Sequence, residues 1–100
     1  MKTRSKSRKS TEELYVHTRR HMMDRYEQPL SREQFTAMNT AIQTGQAVKL
    51  EQQSGSRSIW RVPFGNSTVI AAYNHQLSSV TSVLSEWMFT MNYQEGLYVA

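Results

Sequence analysis

The spacing of apolar residues changes once along this chain, at Gly45, and that change limits the folds open to it. Before Gly45 the apolar residues recur about every 3.6 positions, as in an α-helix, and after it they alternate with polar residues, as in β-strands. Helices that come first and strands that follow are typical of the α+β class. With 100 residues, the chain has the size of a single domain.

Two capping boxes mark the starts of two helices. Ser10 and Glu13 open a helix that should run to about Tyr26, and the Ser31–Gln34 segment opens a second helix that ends at Gly45. Each helix has an apolar stripe at helical spacing. The residues predicted to face inward are Leu14, Tyr15, Thr18, Met22, Tyr26, Phe35, Met38, Ala41 and Ile42.

The remaining pattern predicts a meander of four strands and a short terminal helix. Turn-forming residues separate the strands, so neighbouring strands should pair antiparallel. We expect two N-terminal helices packed on one face of a four-stranded antiparallel sheet, with Ser85 capping a C-terminal helix. The expected strands are Val48–Glu51, Arg57–Val62, Ser67–Tyr73 and Ser79–Leu84, with turns at Ser54–Ser56, Pro63–Asn66 and Asn74–Gln76, and with Trp87, Met88 and Met91 inward. Leu97–Val99 is expected as a short strand or a docked end.

Positive charge is concentrated in the first ten residues. They contain five of the twelve Lys and Arg and no acid, so residues 11–100 hold seven cations against eight acids. We expect residues 1–10 to be a disordered basic arm on a single domain of residues 11–100. The arm either contacts a polyanion or serves as a solubilising tail. The predicted nucleic-acid-binding residues are Lys2, Arg4, Lys6, Arg8, Lys9, Arg19 and Arg20.

Composition excludes several classes of protein. The chain has no cysteine, which rules out disulfides, thiol catalysis and cysteine-based zinc sites. No apolar run approaches the roughly 20 residues of a membrane helix, and the basic N-terminus is not followed by the apolar stretch of a secretory signal. We expect a cytoplasmic protein, in the host cytoplasm if a phage encodes it. No phosphate-binding glycine loop occurs, and no cofactor is expected.

The segment with the most candidates for a catalytic or metal-binding role begins at His17. His17 and His21 are four residues apart and share a helical face, with Arg25 nearby. The pair could chelate a metal ion, but Arg20 would crowd a cation, so no metal is assigned. The histidines could instead transfer protons while arginine holds phosphate, with Arg61 and Tyr73 completing the site. The third interpretation is an ordinary solvated helix face.

The aromatic residues of the strands and tail also have two interpretations. They could stack on unpaired bases, as sheet aromatics do in RNA-binding folds. They could equally form the core of a domain that has few Leu and Ile. These residues are Trp60, Phe64, Tyr73, Trp87 and Tyr93.

Several of these segments together resemble small bacterial and phage domains near the RelE- and colicin-type ribonuclease toxins. The similar segments span about residues 15–84: HTRRHMMDRY from His17, LSREQF from Leu30, VIAAYN from Val69 and SVTSVL from Ser79. The resemblance implies helices packed on an antiparallel sheet and metal-independent RNA cleavage. It matches His17 and Arg25 to the pattern's polar residues, and Arg61 and Tyr73 to strand positions where such toxins place cations and hydroxyls.

Two functions remain open. The first is a small RNA-directed binding protein with ribonuclease-toxin-like chemistry at His17, His21, Arg25, Arg61 and Tyr73. The second is a non-catalytic accessory or inhibitor protein from a phage or mobile element that binds a host protein or nucleoprotein complex. It is motivated by the small, slightly acidic body and by the apolar C-terminal tail around Trp87 and Phe89.

Overall fold

The computed structural model describes residues 10–95, with side chains described for residues 10–91. The four strands form one antiparallel meander in the order β1-β2-β3-β4, and the predicted α+β architecture with a C-terminal helix is confirmed. None of the described helices is long and apolar enough to cross a bilayer. In chain order the elements are α1 (Thr11–Tyr26), α2 (Arg32–Gln43), β1 (Val48–Gln52), β2 (Arg57–Phe64), β3 (Ser67–Asn74), β4 (Ser79–Leu84) and α3 (Glu86–Glu95).

Both predicted capping boxes form. The Ser10 hydroxyl accepts from the Glu13 backbone N–H at 3.1 Å, and the Glu13 carboxylate accepts from the Ser10 N–H at 2.9 Å. Ser31 and Gln34 make the same reciprocal pair at the start of α2. Because these bonds satisfy N–H groups that a helix start leaves unpaired, Ser10 belongs structurally to the folded body. Residues 1–9 of the predicted arm and the Leu97–Val99 segment lie outside the described residues.

The main core lies between the helices and one face of the sheet. The predicted inward stripe of α1 is buried at Leu14, Tyr15, Thr18 and Met22, while Tyr26 is partly buried. The α2 stripe is buried as predicted, at Phe35, Met38, Ala41 and Ile42. The strands contribute Val62, Val69, Ala71, Tyr73, Val80 and Val83 to this cluster.

A second, smaller cluster covers the opposite face of the sheet. Ile59, Ile70 and Ala72 are fully buried there, and Phe89 of α3 packs against them. Since β3 is covered on both faces, its continuous apolar run is explained. Trp87 does not point inward as predicted and is 68% exposed, because α3 turns Phe89 rather than Trp87 toward the sheet.

The β2–β3 hairpin fixes which strand residues share a face. Phe64 pairs with Ser67, so the turn is the two-residue Gly65–Asn66 segment rather than the four residues predicted. Gly65 has a φ of 60°, a left-handed conformation that glycine adopts readily at this position of a hairpin turn. The register runs unbroken from there to the pair Arg57 and Asn74, so the turn sets every pairing in the hairpin.

The C-terminal end of α1 is joined to the sheet by the Tyr26 hydroxyl. This hydroxyl donates to the Leu84 carbonyl at 2.6 Å and accepts from the Ile70 N–H at 3.0 Å. Leu84, the last residue of β4, and Ile70, in the middle of β3, are cross-strand partners. The hydroxyl therefore bridges the two strands at this rung and fixes α1 against β4.

Candidate nucleic-acid interface

A stripe of polar side chains on α1 lies along β4. The His21 Nδ1 atom is 2.5 Å from the Ser82 hydroxyl. Arg25 Nη1 donates to the Val83 carbonyl at 2.7 Å and to His21 Nδ1 at 3.3 Å. The His17 and His21 rings contact each other, with centroids 4.1 Å apart and an interplanar angle of 60°. Spacings of four residues place His17, His21 and Arg25 on one side of α1, and the contacts show that this side faces β4.

Beside this stripe is a cleft of about 540 Å³, here called the α1–β4 cleft. His17, Arg25 and Arg57 contribute its titratable and charged groups, and no Asp or Glu is among the described residues that line it. A cleft lined by charges of one sign concentrates the field and attracts oppositely charged ligands. The other lining residues are Leu14, Asn74, Leu77, Thr81, Ser82, Leu84 and Met88.

The two arginines of the cleft are held by neutral acceptors. Both bonds of Arg25 are made by Nη1, which leaves the N–H groups of Nη2 and Nε without a partner among the described residues. Arg57 Nε donates to the Gln53 side chain at 2.6 Å. Neither guanidinium is neutralised by a carboxylate within the described part of the chain, so both remain suited to pairing with an anion such as phosphate.

The surroundings of His21 disfavour its charged form. Partial burial, followed by the positive charge of Arg25 and the neighbouring His17, lowers the pKa of His21 below its ordinary 6.5, although Asp24 opposes this. A guanidinium only donates hydrogen bonds, so Nδ1 of His21 must carry a lone pair and the ring proton lies on Nε2. Nδ1 of His21 is therefore engaged by Ser82 and Arg25.

The lowered pKa of His21 makes stability depend on pH. Below pH 6.5 the unfolded chain takes up a proton at this position more readily than the folded chain, so the free energy of unfolding falls as the pH falls through this window. Urea unfolding should give a lower free energy of unfolding at about pH 5.5 than at about pH 7.5. In His21→Gln, whose amide oxygen can still accept from Arg25, the decrease in the free energy of unfolding between these two pH values should be smaller. An equal loss in both proteins would assign the pH dependence to other groups.

Arg61 and Tyr73 do not join His17 and Arg25 in the cleft. Arg61 pairs with Ile70 on the α3 side of the sheet and forms an ion pair with Glu86 at 2.5 Å. Tyr73 is 4% exposed in the core under the helices, and its hydroxyl accepts from Gln43 at 3.0 Å. The predicted five-residue constellation is therefore divided between two faces of the sheet, and only its α1 members lie together.

Arg19 and Arg20 lie on another side of α1. They line a separate cleft of about 540 Å³ together with Met23 and Asp24. The Arg19 guanidinium lies over the Tyr15 ring, 5.4 Å from its centroid. Arg20 also borders a shallower depression beside His17. Glu12 and Glu13 line that depression as well, so the surface on this side of His17 carries both signs of charge. Neither Arg19 nor Arg20 lines the α1–β4 cleft.

Arg57, Asn74 and Ser82 line the cleft, and none of the three is among the site residues predicted from the sequence. Arg57 and Asn74 are cross-strand partners, so a two-residue turn at Gly65–Asn66 would have placed them together. Ser82 occupies a polar position in β4. Its contact with His21 depends on how α1 docks against β4, for which the sequence pattern has no signal.

Within the described residues, no cluster of three or more His, Asp or Glu could hold a metal ion. Comparison of the chain with protein-family models, with curated proteins and with solved structures found no match.

Proposed function

We propose that this protein binds RNA by holding the phosphodiester backbone in the α1–β4 cleft. The observation that carries the proposal is the lining of the cleft, where Arg25, Arg57 and His17 occur with no Asp or Glu among the described residues. Arginine recognises phosphate oxygens with two parallel hydrogen bonds. The Asn74 amide and the Thr81 and Ser82 hydroxyls supply neutral donors and acceptors for the sugar–phosphate chain.

The fixed position of Arg25 favours a ligand held in a defined orientation. Its bonds to Val83 and His21 restrict the guanidinium before any ligand arrives, so less side-chain freedom is lost on binding. The unpaired Nη2 and Nε groups can then donate to one phosphate. Arg57, at the start of β2, provides a second cation for another phosphate of the same strand.

We further propose that the cleft cleaves RNA without a metal ion, as the resemblance to ribonuclease toxins suggests. The 2′-oxygen attacks the adjacent phosphorus and the bond to the 5′-oxygen breaks, giving a 2′,3′-cyclic phosphate and a 5′-hydroxyl. His17 accepts the proton of the 2′-hydroxyl and returns it to the departing 5′-oxygen. Arg25 and Arg57 stabilise the charge that develops on the other phosphate oxygens.

Replacing both cleft arginines, Arg25→Gln and Arg57→Gln, is expected to weaken binding of a labelled single-stranded RNA by about tenfold for each residue, since a hydrogen bond to a charged group contributes roughly 1.5–3 kcal/mol. The salt dependence should fall as well, by about 0.7 in slope for each lost phosphate contact. Fluorescence anisotropy across a salt series measures both quantities. Circular dichroism and thermal melting establish that the variants fold.

The matched control is Arg61→Gln, which removes the same charge from the α3 side of the sheet. Its RNA affinity should stay close to that of the unmodified protein. If Arg61→Gln weakens binding as much as either cleft variant, or if the double variant binds normally, the α1–β4 cleft is not the RNA site.

A further inference from the structure

Trp87 is the most exposed large apolar side chain among the described residues, at 68%. Three neighbours on α3 explain its direction. Glu86 pairs with Arg61, Met88 lines the α1–β4 cleft and Phe89 packs against the second apolar cluster. Because successive helix residues are about 100° apart, a helix that turns Phe89 to the sheet and Met88 to the cleft turns Trp87 to solvent, next to the cleft.

The other aromatic residues considered for base stacking are engaged elsewhere, where their side chains are described. Trp60 packs against the main core and its indole N–H donates to Ser58 at 2.7 Å. Phe64 also packs against that core, and Tyr73 is buried within it. Within residues 10–91, Trp87 is thus the aromatic ring that presents most of its surface to solvent.

Building on the proposed RNA binding, we propose that Trp87 stacks against an unpaired base of a single-stranded RNA whose phosphates occupy the α1–β4 cleft. Met88 lies in the cleft wall with Arg25 and Leu84, so a strand that leaves the cleft at this end passes α3. Base–aromatic stacking tolerates any sequence because every base has a π-face. It requires that face to be free, so the contact selects single strands over duplexes.

The test compares Trp87→Leu with Trp87→Phe, two changes at an exposed position. Trp87→Leu should weaken binding of a single-stranded oligoribonucleotide by about 5- to 150-fold, the range measured for loss of one stacked base. Trp87→Phe keeps a ring and should retain most of the affinity. Binding of the corresponding duplex should be the same in all three proteins. Single-stranded RNA should also quench a component of tryptophan emission that is missing in Trp87→Phe.

The outcomes separate this inference from the proposed function. If Trp87→Leu binds single strands like the unmodified protein while the Arg25 and Arg57 variants lose binding, the stacking role is rejected and the RNA site stands. If none of these variants changes binding, both fail. If Trp87→Leu binds RNA normally but no longer retains a protein partner from a bacterial lysate, Trp87 belongs to a protein interface and the stacking role is overturned.

Discussion

Replacing His17 by alanine is expected to lower the rate of RNA cleavage in EDTA by about 10²–10⁴-fold, the usual contribution of a positioned general acid–base group. The loss should appear in the cleavage step while RNA binding changes little, because Arg25 and Arg57 remain in the cleft. Single-turnover cleavage of a labelled oligoribonucleotide measures the rate, and the product should carry a 2′,3′-cyclic phosphate.

Two controls separate this chemistry from other causes. A substrate with one 2′-deoxynucleotide at the cleaved position should stay intact, because the attacking oxygen is missing. His75→Gln should cleave normally, since His75 contacts Ser58 and the Tyr73 ring rather than lining the cleft. If the unmodified protein leaves RNA intact in EDTA, or if His17→Ala cleaves at the same rate, the catalytic part of the proposal is rejected and the binding part is not affected.

Deleting residues 1–9 is expected to reduce the slope of log affinity against log salt by about 3 to 4 for single-stranded RNA. The deleted segment holds five cations and no acid, and each cation that contacts a phosphate contributes about 0.7 to the slope. The deletion must stop before Ser10, since its hydroxyl and backbone N–H complete the capping box of α1. Anisotropy titrations between roughly 50 and 200 mM salt measure the slope.

A full-length variant with glutamine at the same five positions is the matched control for length. It should behave like the deletion, and both proteins should unfold in urea at the same midpoint as the unmodified chain. If deletion leaves the affinity and its salt dependence unchanged, the arm is a solubilising tail and takes no part in RNA binding.

The helices and the sheet could be predicted because their signals are local. The capping boxes at Ser10 and Ser31 depend on contacts within one turn of helix, and both occur as predicted. From residue 48 onward, alternation in β1 and β2, a continuous apolar run in β3 and β-branched residues in β4 identified all four strands. β4 matches its predicted bounds, whereas β2 extends to Phe64 because the turn is shorter than expected.

The candidate site could be predicted only in part because it depends on how elements dock. The helical spacing of His17, His21 and Arg25 predicts a shared side, but not that this side faces β4. Arg61 and Tyr73, by contrast, could have been separated from the sequence. Directly opposed residues share a sheet face, and the observed register pairs Arg61 with Ile70 and Tyr73 with Ser58. The predicted four-residue turn shifts this pairing by two residues and therefore also places Arg61 and Tyr73 on opposite faces.

The sequence pattern also gave no sign of bulges within the strands. The β3–β4 register shifts between Ala72 and Tyr73, because Tyr73 pairs with Val80 while Ala72 pairs with Ser82. One extra residue, Thr81, therefore lies in β4 as a bulge. Bulges change the direction of neighbouring side chains, and here Thr81 and Ser82 both line the cleft. The run of β-branched and small residues in β4 predicts a strand and carries no sign of the extra residue.

The hydrogen bond from Arg25 to the Val83 carbonyl also affects how readily this protein aggregates. An open edge strand is a template for aggregation through added strands. Arg25 occupies a carbonyl of β4, and α1 lies against that strand. At the other edge, β1 has only five residues and a register shift between Lys49 and Glu51. Arg25 therefore helps to protect an edge strand besides serving the cleft.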